Sequence, residues 1–119
     1  MVILATPCDA SLDFADTRGE ELTGKVVVDI SNPVDRATFN GLVTPADSSA
    51  AEEIARRLPA WVPVVKAFNT TFAESSGMRP INAGPLHRAQ QLEHLGFLHM
   101  ALQDSLGSGY GSTVKFDSP

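Results

Sequence analysis

Three short apolar runs, each passing straight into small polar residues, constrain the fold of this chain most. Met1-Val2-Ile3-Leu4-Ala5 runs into Thr6-Pro7, and Val26-Val27-Val28-Asp29-Ile30 into Ser31-Asn32-Pro33. Val64-Val65-Lys66-Ala67-Phe68 runs into Asn69-Thr70-Thr71. Near-continuous apolar runs of this kind read as buried parallel strands. Parallel strands are predicted near residues 1–6, 25–30 and 62–68. In open parallel sheets ligands bind beyond the carboxyl ends of the strands, so three polar ends at one edge would make a site.

The segments between these runs carry helical signals. Asp9 to about Asp16 can form a short helix after Pro7, with Leu12 and Ala15 inward, before Gly19 and Gly24 interrupt it. Ser49-Ala50-Ala51-Glu52 is a capping-box signature. Ala51, Ile54, Ala55 and Leu58 then give the i, i+3, i+4, i+7 stripe of an amphipathic helix, which Pro59 ends. Strand, helix, strand over residues 1–31 is one βαβ unit, and a second crossover runs through residues 49–59. Such crossovers are almost always right-handed, and the order predicts a three-layer-like α/β domain. Beyond Phe72 a polar link, Ala73 to Gly77, leads to a strand-like piece at residues 78–82. The longest helix is predicted at about residues 85–104, with a broad apolar surface of Leu86, Ala89, Leu92, Leu95, Phe97, Leu98, Met100 and Leu102. Thr113 to Phe116 reads as an edge strand.

Composition narrows the function classes. At 119 residues the chain is expected to be a single compact unit. No apolar run approaches the roughly 18–20 residues that span a bilayer, and the first residues lack the basic start of a signal peptide. A single cysteine, Cys8, excludes an internal disulfide and suits a reducing compartment, so a cytoplasmic location is expected. The net charge of −5 and the scattering of the nine basic residues argue against nucleic acid as a partner.

Few residues carry chemistry of their own. Cys8 opens a helix, a position that lowers thiol pKa, yet no histidine lies near it in sequence and it reads as a packing residue. His87, His94 and His99 stand seven and five residues apart, whereas a zinc pair on one helix needs i, i+4; no metal is expected. Asp13, Asp16, Glu20 and Glu21 read as a solvated acidic face. Gly107-Ser108-Gly109-Tyr110-Gly111 follows the last helix and precedes none. It therefore fails as a dinucleotide fingerprint, which must sit between a strand and a helix, and reads as a flexible loop.

Several blocks in order carry a family resemblance. They are Leu4-Ala5-Thr6-Pro7, residues 24–33 from Gly24 to Pro33, Ser48-Ser49-Ala50-Ala51-Glu52, and residues 65–72 from Val65 to Phe72. Arg79-Pro80-Ile81-Asn82-Ala83-Gly84-Pro85-Leu86 follows, then Leu95-Gly96-Phe97-Leu98 with the loop from Gly107 to Gly111. Together they resemble the NADP oxidoreductases that use the deazaflavin coenzyme F-420. The resemblance implies an α/β fold: a partial Rossmann-like parallel sheet with flanking helices and a long C-terminal helix. Residues 1–73 would be the partial dinucleotide-binding part, and residues 74–119 the family's C-terminal helical segment packed on it. Family members open with a Gly-rich phosphate turn and carry a strand and helix between the Phe-Asn-Thr-Thr and Arg-Pro segments. This chain is expected to lack both pieces.

The activity implied is hydride transfer between NADP(H) and coenzyme F-420 or a related acceptor, with small-molecule cofactors as partners. No catalytic acid, base or nucleophile is required, because the coenzymes carry the reactivity. Thr6 and Pro7 resemble the loop that passes the nicotinamide ribose, and Ser31, Asn32 and Pro33 resemble the deazaflavin-side loop. Asn69 and Thr70 would hydrogen-bond a nicotinamide amide or a deazaflavin carbonyl, and Gly109 and Gly111 would close over the same edge. The same residues also suit plain strand ends and turns. The alternative is a truncated, non-catalytic remnant or interaction module that keeps the half-fold. The exposed edges of so small a sheet invite pairing into a homodimer under either reading.

Overall fold

In a computed structural model, residues 1–67, 82–102, 105 and 107 are described. Strand β1 (Val2–Leu4) leads to helix α1 (Cys8–Arg18), a 3₁₀ turn (Gly19–Leu22) and strand β2 (Val27–Asp29). Helix α2 (Ala50–Arg57) and strand β3 (Val64–Lys66) follow, then a 3₁₀ turn (Leu86–Arg88) and helix α3 (Ala89–Ala101). The sheet order is β1-β2-β3 and both pairings are parallel. The expected mixed α/β arrangement with a three-stranded parallel sheet is therefore present, with strands shorter than their apolar runs. Of the strand-like piece expected at residues 78–82 only Asn82 is described, and it lies in no strand; the segment expected at 113–116 and the loop residues Gly109 and Gly111 lie outside the described residues.

Local chemistry explains the helices. At α2 the hydroxyl of Ser49 accepts the Glu52 N–H at 3.2 Å and meets the Glu52 carboxylate at 2.9 Å. The helix stops where Leu58 turns extended ahead of Pro59, since proline disfavours the helical region for the residue before it. Its stripe is buried as the spacing requires: Ala51 and Ile54 are fully inside and Leu58 nearly so. Helix α1 starts at Cys8, one residue before Asp9, and buries Cys8, Ser11 and Ala15. Gly24, at a φ of 75°, makes the left-handed step into β2 that residues with a Cβ rarely take.

Register decides which residues face the helices. Val2, Val27 and Val64 lie side by side across the sheet, as do Leu4, Asp29 and Lys66. Because strand side chains alternate between faces, these rows point the same way. They meet Leu12, Phe14 and Ala15 of α1 and Ile54 and Leu58 of α2 in one core that also takes in Leu22 and Val62. The other face carries Ile3, Val28 and Val65, with Ile3 49% and Val65 46% exposed. Two crossovers of one hand, stepping in one direction across the sheet, put both helices on one face. Among the described residues the sheet carries helices on this one face.

The last helix also differs from its reading. A 3₁₀ turn occupies its start, and in α3 only Ala89 and Glu93 are buried. Of the apolar surface anticipated for it, Leu86, Leu92, Leu95, Phe97 and Met100 are partly buried, while Leu98 and Leu102 are 54% and 42% exposed.

Candidate functional site

The carboxyl ends of β1 and β2 emerge side by side, held by the Ile30 N–H donating to the Leu4 carbonyl at 3.3 Å. Thr6 and Pro7 therefore stand beside Ser31, Asn32 and Pro33 at one edge, as the apolar runs suggested. Thr6 is exposed, and its hydroxyl meets that of Ser11 at 2.8 Å. Pro7 is the N-cap of α1 and supplies no side-chain cap, so the first turn offers N–H groups toward this edge. Pro33 is buried, its carbonyl accepting the Val43 N–H at 2.7 Å, while Asn32 is exposed. Asn69, Thr70, Gly109 and Gly111 lie outside the described residues.

Ser31 is the most constrained of these positions. It is 6% exposed; its N–H donates to Asp29 Oδ1 at 2.9 Å and its carbonyl accepts from Lys66 Nζ. Its own hydroxyl is buried with no hydrogen-bond partner among the described residues. An unmatched buried hydroxyl costs about 1–3 kcal/mol, and a ligand that supplies a partner recovers part of that.

Beneath this edge lies a charge cluster that the sequence reading missed. Lys66 Nζ is 2.8 Å from Asp29 Oδ2 and 2.9 Å from Glu93 Oε1, with all three side chains at most 3% exposed. The Glu93 carboxylate also accepts the Ala50 N–H, at 3.1 and 3.0 Å, at the N-terminus of α2. All three protons of Lys66 have acceptors, two carboxylates and the Ser31 carbonyl, so the ammonium is locked. Buried charges persist only when paired in this way. The residual negative charge faces the positive end of the α2 dipole. The signal available in the sequence was a charge inside each of two apolar runs, Asp29 in one and Lys66 in the other, of opposite sign.

The cluster also sets the state of Cys8. Burial, then the charges of Asp29 and Glu93, push its thiol up to about 11 despite the attraction of Lys66. At neutral pH Cys8 is a protonated packing group, and the lowering expected at a helix N-terminus is overridden.

The cofactors implied by the resemblance can be judged against these residues. The Ser31 hydroxyl and the uncapped first turn of α1 suit a carboxamide or a ring carbonyl. A pyrophosphate fits poorly: it would meet Asp9 in the first turn of α1 and the net-negative cluster below, and among the described residues no glycine stands between β1 and α1. No known protein family and no curated protein matches the chain.

Proposed function

We propose that this chain is a member of the NADP-dependent oxidoreductases, with hydride transfer between NADP(H) and coenzyme F-420 or a related acceptor as its reaction class. The observation that supports this reading is the parallel, in-register delivery of Thr6, Pro7, Ser31, Asn32 and Pro33 to one edge. The unpartnered Ser31 hydroxyl sits at that edge. The partial Rossmann-like organisation belongs to the same proposal, with residues 1–73 as the cofactor-binding part and residues 74–119 packed on it. The coenzymes supply the hydride chemistry. The chain's own residues orient the ring: Ser31 donates to a carbonyl acceptor, Asn32 offers an amide from the rim, and Pro7 and Pro33 hold the loop ends stiff.

The test is a titration of the full chain with NADPH followed by amide chemical shifts. Shifts at Thr6, Ser31 and Asn32 with a dissociation constant weaker than about 0.1 mM are expected, because the turn between β1 and α1 carries no glycine to admit a pyrophosphate. Shifts confined to residues 89–101 would overturn the reading.

A second reading, a non-catalytic interaction module, is favoured by one observation. On one sheet face Ile3 and Val65 are about half exposed, and parallel sheets ordinarily have both faces covered. Under it the chain associates through that face or the β1 edge, which pairs with no strand but β2 among the described residues, most simply as a homodimer. Sedimentation of the chain alone tests it: a single species at monomer mass up to high concentration would exclude self-association.

A further inference from the structure

We propose a second ligand site at the opposite, amino-terminal edge of the sheet: a groove that binds a small alkylammonium cation between Trp61 and Glu20. In a parallel α/β unit the helices return to the amino ends of the strands, so their carboxyl termini gather there. Helix α1 ends at Arg18 and α2 at Arg57, and both open onto one groove of about 400 Å³. Helix carboxyl termini carry partial negative charge and attract cations. Gly19 lies on the groove floor, where an added Cβ would come within 3.3 Å of Leu58 and Pro59.

The side chains around the groove add to that potential. Its two arginines are already engaged: Arg57 Nε lies 3.3 Å from Asp16, and Arg18 2.9 Å from Glu21. Lys25, outside the lining, donates to the Glu21 carbonyl at 3.4 Å. Glu20 makes no ion pair among the described residues. Trp61 is 62% exposed, unusual for so large an apolar side chain. Its orientation is nonetheless fixed, because its indole N–H donates to the Thr23 hydroxyl at 3.2 Å. An open indole and a carboxylate without an ion pair line this one groove, and together they can recognise an organic cation through the ring face and the charge. This site does not depend on the cofactor reading, and the two lie at opposite ends of the sheet.

The chain's single tryptophan makes the test direct. Tetramethylammonium chloride is titrated into the full chain against sodium chloride at equal ionic strength, and Trp61 fluorescence and the Gly19 and Glu20 amide shifts are recorded. A saturable change with half-saturation at about 1–10 mM, absent with sodium, is expected for one cation–π contact and one ion pair. Glu20→Gln should weaken binding about fivefold, whereas Asp47→Asn, which removes an equal charge from an exposed loop, should not. Equal responses to tetramethylammonium and sodium would overturn the proposal. So would equal weakening by the two variants, since binding would then follow net charge rather than this groove.

Discussion

Glu93 closes with both carboxylate oxygens on the backbone N–H of Ala50, 43 positions away in the chain. One side chain thereby caps α2 from α3 and, through its 2.9 Å contact with Lys66, ties both helices to the edge strand β3. Ala89 and Glu93 are the buried residues of α3, so charge contributes to docking that helix alongside the partly buried Leu92, Leu95 and Phe97.

Removing the shared ammonium should therefore be costly. Lys66→Met leaves Asp29 and Glu93 facing one another, buried and unpaired, and is expected to lower stability by about 3–5 kcal/mol. Urea denaturation at neutral pH measures it, and a loss near zero would mean that the cluster is solvated.

Cys8 gives a signature at alkaline pH. Its folded-state pKa of about 11 lies above the ordinary value of 9.0. The stability that this proton preference contributes is complete below pH 9.0 and is lost as pH rises through about 11. Wild-type melting temperature should fall across that window, and Cys8→Ala should lack that part of the fall. Alkylation by iodoacetamide at neutral pH should be much slower for the folded chain than for the same chain in denaturant.

At acid pH the corresponding group is Glu53. The Ser48 hydroxyl at 2.6 Å, followed by the charge of Arg56 and the contacts of Arg57, holds its carboxyl below the ordinary 4.5. Its contribution is present above pH 4.5 and is lost as pH falls through the lower folded-state value. Glu53→Gln should flatten that part of the acid limb of stability, as read by urea midpoints on descending pH.

The cap of α2 predicts a smaller effect. Ser49→Ala removes the acceptor for the Glu52 N–H and should cost about 1 kcal/mol. Ile54→Ala, at the fully buried centre of the same helix, should cost about 2–5 kcal/mol. The two denaturation experiments together separate capping from packing in one element.

The elements themselves were legible because their signals are local. The apolar runs at residues 2–4, 27–29 and 64–66 marked the strands, and Ser49 with Glu52 marked the start of α2. The convergence of Thr6 and Ser31 also followed from the chain, since parallel strands must end at a common edge. Helix α3 was harder: its many leucines suggested burial on more than one side, and hydrophobicity alone does not say what stands opposite. Tertiary structure alone decided that Glu93, one charge among those leucines, is its inward residue. It also paired Lys66 with Asp29, since that contact depends on strand register, and it left Ile3 and Val65 half exposed on the face away from α1 and α2, since which face a crossover covers depends on the direction of the next strand. Period and capping are properties of neighbours along the chain and can be read from it; charge pairing, register and the covered face are relations between distant segments, fixed only when those segments pack.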